Sequence, residues 1–416
     1  MQIIDTICFA ILALTAFMAV HKTIYSIIGI FITRKTYPET DKLYRYAVVI
    51  SARNEQNVIG NLIDSIRSQN YDASLISIFV VADNCTDGTA SICRDKGAIV
   101  YERFCPEKAR KGYALSFLVE NIKKDYGIVA FDGYFVFDAD NLLGPDYITE
   151  MNKAFAAGNE VVTSYRNIKN FSTNIVSSAY GIHFYRNSMA MHRPRSFLSL
   201  GTHLTGTGYL ISGRLLQNGW NFTNLTEDDE LTNILCAGGN KVAYCDADEF
   251  FDEQPVDFRT QFRQRVRWAR GRLVCFYRYG FLSYTSIIKH RSFTCYDMFT
   301  HYFPFGLVTL LMGIIYPLCG VIYKATIGGG YDFQGMGINL ALWFGGQYLY
   351  FLFTGTLAVI KERRRIHCGL WKLVFYLLIF PWFDLMTLPI FAAAVFKDVQ
   401  WLPIEHNDAK RVEEIN

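Results

Sequence analysis

Tyr134-Phe135-Val136-Phe137-Asp138-Ala139-Asp140-Asn141 is the stretch that decides the fold. An unbroken apolar, aromatic-rich run ending in two carboxylates two residues apart reads as a buried strand that delivers acids to its C-terminal end. That is where α/β sheets bind ligands. Paired carboxylates there suit a hard divalent cation, Mg²⁺ or Mn²⁺, that also touches substrate phosphates; a solvated acid pair in a loop has the same spelling. A second strand of this kind lies upstream, Val80-Val81-Ala82-Asp83, followed by Asn84-Cys85-Thr86-Asp87-Gly88-Thr89. The turn fits either an acid presented to a base or ribose, or a plain helix N-cap. Further short runs rich in Val, Ile, Phe and Tyr predict strands at 46–51, 98–101, 160–165 and 241–245. Val58, Leu62, Ile63 and Ile66 have helical spacing within 57–68. Strands alternating with helices make residues 34–255 a soluble α/β domain.

Two later motifs carry chemistry. Thr226-Glu227-Asp228-Asp229-Glu230 sets four acids in a row. Crowded carboxylates raise at least one pKa, which suits a general base, although an acidic helix start favoured by the macrodipole looks the same. Gln264-Arg265-Val266-Arg267-Trp268 offers an arginine fork for a diphosphate and an indole face for a sugar ring. It lies within 258–279, which carries seven arginines (259, 263, 265, 267, 270, 272 and 278), no acid, and interleaved aromatic and aliphatic residues. An arginine-rich amphipathic helix of this kind suits a membrane surface.

Composition points the same way. The chain has 416 residues, with 51% hydrophobic, 16% aromatic and only 19% charged residues. Its mean hydropathy is +0.13. A net charge of +3 argues against a nucleic-acid binder. Ten cysteines without a CxxC pair or zinc spacing read as reduced thiols. Four stretches are apolar enough to span a bilayer: 6–33, 298–323, 333–360 and 373–396. The cluster Lys361, Arg363, Arg364, Arg365 and Lys372 assigns its turn to the cytoplasm, whereas 325–332, with Gly328-Gly329-Gly330 and no Lys or Arg, falls outside. Counting from these turns puts the large domain in the cytoplasm and the N-terminus and the tail from Lys397 outside. Lys22 and Asp384 are lone charges at matched depth, roughly 16 Å in at about 1.5 Å per residue. They could pair across two spans, line one glycan path, or be satisfied locally.

Taken in order, the Asp83 turn, Asp138/Asp140, Thr226-Glu227-Asp228 and Gln264…Arg267-Trp268 resemble the membrane-embedded family 2 glycosyltransferases, the group of cellulose, hyaluronan, chitin and poly-N-acetylglucosamine synthases. The resemblance implies an α/β GT-A (Rossmann-like) cytosolic domain inserted between transmembrane helices, with amphipathic interface helices. It divides the chain into an N-terminal transmembrane helix (1–34), a GT-A domain (35–255), interface helices with the QxxRW motif (256–296), three transmembrane helices (297–396) and a tail (397–416). It also implies roles. Asp83 and the Ser51-Ala52-Arg53-Asn54-Glu55 motif, with Glu55, hold the nucleoside. Lys111 and Asp138 contact the nucleotide, and Asp140 binds the Mg²⁺ or Mn²⁺. Asp228 is the general base, beside Glu227. Arg267 neutralises departing UDP; Gln264, Arg265 and Trp268 meet donor and acceptor; Thr205 and Gly206 belong to an acceptor-side loop.

The implied enzyme is an inverting, plasma-membrane, multi-pass transferase making a β-linked polysaccharide from a UDP-sugar. Its partners are the donor, a glycan or lipid-linked acceptor and membrane lipids. A small membrane part also admits transfer of one or a few sugars to a lipid, or an export path completed by a homo-oligomer or an export partner. A non-catalytic sensor of nucleotide or glycan is the remaining class.

Overall fold

The computed structural model describes residues 2–310, 312, 316–327, 333–397, 399 and 402–415. The Gly328-Gly329-Gly330 turn and part of the second apolar stretch lie outside the described residues. Eight strands form one mixed sheet: β1 (Tyr46–Ala52), β2 (Ile76–Asp83), β3 (Ile99–Arg103), β4 (Gly133–Asp138), β5 (Leu142–Leu143), β6 (Val161–Ile168), β7 (Tyr209–Ser212) and β8 (Val242–Asp252), in the order β3-β2-β1-β4-β7-β6-β8-β5. Strands β3, β2, β1 and β4 run parallel; β7 is antiparallel to both β4 and β6, and β6 and β8 are parallel.

The parallel half is apolar on both faces because helices cover both. Val48, Ile50 and Val80 pack with Leu62, Ile63 and Ile66 of helix Ile59–Arg67. Val49, Val81 and Val136 pack with Leu115, Leu118 and Val119 of helix Lys111–Asp125. Alternation along β1 thus feeds two cores, and it brings the C-terminal ends of β1, β2 and β4 to one edge. The turns there are tight: Asn54 and Asn84, just past β1 and β2, have φ of 55° and 54°, a left-handed conformation that Asn tolerates better than most residues. Asn54 Oδ1 accepts from the Thr86 backbone N–H at 2.8 Å, joining the two turns.

The arginine-rich segment is one helix, Phe258–His290, longer than the predicted 258–279. Tyr277 and Phe281 stand out from it, 90% and 80% exposed. Two described helices are long and apolar enough to cross a membrane, Asp5–Phe31 and Leu370–Phe396. In and just before the second stretch the described helices are Phe293–Tyr302, Phe305–Leu310 and Tyr316–Thr326, with an interruption at Pro304 between the first two. The third is one helix of 30 residues, Phe333–Glu362, whose Gly, Tyr and Gln content lowers its hydropathy. Leu370–Phe396 lies along the α/β domain. Lys372 Nζ and Tyr376 OH donate to the Ser172 carbonyl at 2.6 and 3.3 Å, and Arg270 donates to the Ala394 carbonyl at 3.2 Å.

One alternative is excluded and one expectation is corrected. Lys22 and Asp384 do not pair. Asp384 binds Arg186 at 2.5 Å and His183 at 3.1 Å, both on helix Ile175–Asn187 of the catalytic domain. Lys22 donates to the Thr300 carbonyl at 3.0 Å and sits over the Phe305 ring. The Arg186 guanidinium and the His183 ring, both already at hand from the packed domain, meet the buried acid. The tail, expected on the opposite side from the catalytic domain, rests on that domain. Asn57 and Asn61 donate to Asn407 Oδ1 and the Ala409 carbonyl at 3.1 and 2.7 Å. Counting each apolar stretch as a full crossing had carried the tail away from that domain.

Candidate active site

The ends of β1, β2 and β4, the loop before β7, the start of helix Glu227–Ala237 and helix Phe258–His290 enclose a cavity of about 270 Å³. Of the residues singled out in the sequence, Glu55, Asp83, Lys111, Asp138, Asp140, Thr205, Gly206, Glu227, Asp228, Gln264, Arg267 and Trp268 line it. Residues drawn from 55 to 268 therefore meet in one cleft.

Asp138 closes β4, and its turn is held from the facing loop. The Asp138 N–H donates to Thr207 Oγ1 at 2.8 Å, and Thr207 donates in turn to Asn141 Oδ1 at 2.5 Å. Lys111 is the cation at the centre. Its ammonium binds Asp138, donates to the Gly206 carbonyl at 2.7 Å and lies 3.6 Å from Glu227. Burial opposes its charge, but Asp138 and Glu227 outweigh burial and raise its pKa. Asp140 is 4% exposed, and its Oδ2 accepts from the Glu253 N–H at 2.8 Å. Burial would favour the neutral acid, yet His406, Lys169 and the Glu253 N–H hold its pKa below the ordinary value.

The acidic helix sorts its four acids by position. Glu230 is structural: Oε2 accepts from the N–H groups of Thr223 and Asn224 at 2.8 and 3.0 Å, and Tyr279 donates to Oε1 at 2.6 Å. Glu227 and Asp228 face the cavity. Burial pushes the Asp228 carboxyl up to about 7, with Asp229 adding to the rise and Lys111 opposing it. Glu227 is pushed up by burial, opposed by Lys111. The backbone opposite Asp228 is Gly206, at φ +90°, where a Cβ would meet only Asp228 Oδ2, at 3.8 Å.

On the arginine-rich helix, Tyr180 donates to Gln264 Oε1 at 2.6 Å, Arg267 donates to the Leu225 carbonyl at 3.1 Å, and Trp268 meets the Tyr180 ring edge-on at 5.9 Å. Arg265 is not in the cleft. Its guanidinium donates to the Phe383 carbonyl at 2.5 Å and Thr387 Oγ1 at 3.1 Å, with Phe383 stacked beneath it. Residues two apart on a helix point to opposite sides, so Arg265 and Arg267 form no fork. Asp83 lines the cavity at the end of β2, 2% exposed, with its carboxylate bound by Arg53 and Arg103.

Sequence reading missed several cavity residues. Arg166 donates to the Thr205 carbonyl at 2.9 Å and pairs with Asp252, whose carboxyl burial raises to about 6. His406, from the tail, lies 3.0 and 3.1 Å from the two Glu55 carboxylate oxygens through Nδ1. Burial would lower its pKa, but Asp140, Glu55 and Glu253 raise it to about 10. The Asp-x-Asp spelling, Glu55 and Thr205 flagged this neighbourhood; Arg166 and His406 carry no local signal.

Among the described residues no three His, Cys, Asp or Glu side chains form a metal cage. The donor set fits Mg²⁺ or Mn²⁺ only in the manner usual for phosphate substrates, with one or two carboxylates and the rest of the shell from phosphates and water.

This fold and cleft define a nucleotide-sugar transferase of the GT-A class. The profile of the family described as "Glycosyltransferase like family 2" matches residues 44–271, more than half of the chain, and the chain belongs to that family. Among curated relatives, a probable glycosyltransferase of Bacillus subtilis, YdaM, is 26% identical over 285 residues, 66% of this chain and 65% of its own length. The β-monoglucosyldiacylglycerol synthase of Synechocystis is 25% identical over 232 residues, 54% of this chain and 47% of its own. Among solved structures, the mannosyltransferase PcManGT of Pyrobaculum calidifontis, in complex with GDP-Man and Mn²⁺, shares the fold over 94% of this chain and 97% of its own, with a TM-score of 0.53 and 14% identity.

Proposed function

We propose that this protein is an inverting membrane glycosyltransferase that transfers a sugar from a UDP-sugar to a β-linked glycan growing at the membrane. One observation carries the reading: Asp228, with its pKa raised to about 7, faces Gly206 across open space in the same cleft as the Lys111–Asp138 pair and Arg267. A base poised near neutrality takes a proton efficiently. Asp228 deprotonates the acceptor hydroxyl, which attacks the anomeric carbon from the face opposite the nucleotide. An α-linked donor therefore gives a β-linkage. Lys111 and Arg267 offset the charge that builds on the departing diphosphate. Asp140 and Asp138 would hold Mg²⁺ or Mn²⁺, which supplies Lewis-acid stabilisation of the leaving group when bound. Trp268 offers the acceptor sugar an apolar face.

In this reading residues 1–34 anchor the chain, 35–255 form the cytoplasmic catalytic domain, 256–296 lie at the membrane surface, and 297–396 supply further apolar helices. The test is a screen of UDP-sugars with purified protein and Mg²⁺ or Mn²⁺, following UDP release and sizing the product. Ladders of increasing length support polymer synthesis; absence of release with every donor refutes the reading. Transfer of a single sugar to a lipid is the second reading, favoured by the likeness to the diacylglycerol glucosyltransferase and by Leu402, Ile404 and Phe184 in the cavity wall. A product that stops at one sugar decides for it.

A further inference from the structure

The C-terminal tail passes through the cleft. Leu402, Pro403, Ile404 and His406 line the cavity together with the residues of the sheet edge. The tail is fastened at both lips. On one side Asn57 and Asn61, at the start of the helix after β1, donate to Asn407 Oδ1 and the Ala409 carbonyl. On the other, the Glu253 carboxylate, just past β8, accepts from the N–H groups of Asn407 and Asp408 at 3.1 and 3.0 Å. Such fastening over-determines the position of the residue between, His406.

The charges in the cleft show what that residue lacks. Asp83 is bound by Arg53 and Arg103, Asp138 by Lys111, and Asp252 by Arg166; Lys169 lies 3.6 Å from Glu253. Glu55 takes His406 Nδ1. A carboxylate on one imidazole nitrogen fixes the ring and turns the other nitrogen into an oriented donor or ligand. Among the described residues Nε2 of His406 has no partner. Its surroundings at the ends of β1 and β4 are where the phosphates of a nucleotide ligand lie in a sheet of this kind.

We propose that residues 402–410 form a wall of the donor site and that His406, oriented by Glu55, binds the diphosphate of the nucleotide sugar. The proposal rests on the donor reading above and extends it: the tail is part of the binding site and lies on the catalytic side of the membrane. Glu55 is a positioning residue, not a contact to the nucleoside.

The experiment measures binding of uridine, UMP and UDP, and of the guanosine series, to the full-length protein in detergent with Mg²⁺. His406→Ala should weaken UDP (or GDP) about tenfold or more, the scale of one charge-assisted hydrogen bond, and leave nucleoside and monophosphate within about threefold. Glu55→Gln should follow the same pattern more weakly, and so should removal of residues 402–416. Unchanged diphosphate binding in His406→Ala overturns the proposal. Parallel loss for nucleoside, mono- and diphosphate also overturns it, since that marks a packing role. If the unaltered protein binds neither diphosphate, the donor reading itself has failed; binding that needs Asp140 but not His406 defeats only the tail assignment.

Discussion

Gly206→Ala separates chemistry from folding at one atom. Gly206 has φ +90°, so an alanine there is strained, at a cost of about 1–2 kcal/mol. There is room for the methyl group: the nearest heavy atom to an added Cβ is Asp228 Oδ2 at 3.8 Å. For a domain of this size that strain lowers the melting temperature by roughly 2–8 °C. The functional loss should be far larger. An acceptor hydroxyl must come within about 2.6–3.2 Å of its base, and a methyl group in van der Waals contact with Asp228 occupies that space. Gly206 also supplies the carbonyl that holds Lys111 at 2.7 Å, so any shift of the loop disturbs the cation too. We expect kcat/KM for sugar transfer to fall at least 10²-fold, with UDP affinity within a few-fold. The assay pairs UDP release with acceptor against a thermal melt in detergent. Activity within about threefold of the unaltered enzyme would refute the placement of the acceptor between Gly206 and Asp228.

Lys111→Met removes the cation that opposes the rise of the Glu227 and Asp228 carboxyl groups, so both rise further; the acid limb of the pH–rate profile should move to higher pH by on the order of one unit. A stationary limb argues against that coupling. Asp140→Ala should abolish the dependence of UDP affinity on Mg²⁺ or Mn²⁺ in a titration followed by calorimetry. Trp268→Ala should raise the KM for acceptor while slow donor hydrolysis persists; equal losses in both assign Trp268 to packing against Tyr180.

The half of the sheet that builds the floor of the cleft was legible because its strands are buried on both faces. Runs such as Val80-Val81-Ala82-Asp83 combine continuous apolarity with an abrupt acid, and both properties come from their place in the sheet. β7, four residues after a glycine-rich loop, and β5, only two residues, are too short for any periodicity to register. Motif spelling treated Arg265 and Arg267 alike, whereas helical geometry sends one to the Leu370–Phe396 pair and the other to the cleft. Asp384 was read against other membrane charges because sequence does not reveal that a catalytic-domain helix packs along it. His406 was invisible for a related reason. Its placement depends on its own contact with Glu55 and on the bond from the neighbouring Asn407 N–H to Glu253, some 350 and 150 residues away, and a lone histidine in the tail carries no periodicity or spacing.

The claim at the centre is that Asp228 is the base. The most direct measurement is the pH dependence of kcat/KM for sugar transfer in the unaltered enzyme and in Asp228→Asn. A carboxyl held near 7 by burial must lose its proton to act, so the rate should rise about tenfold per pH unit below neutrality and level off above it. Asp228→Asn should lose about 10²–10⁴ in rate, lose the acid limb, and keep UDP affinity within a few-fold. An Asp228→Asn enzyme that turns over within tenfold of the original, or shows the same acid limb, would contradict the account.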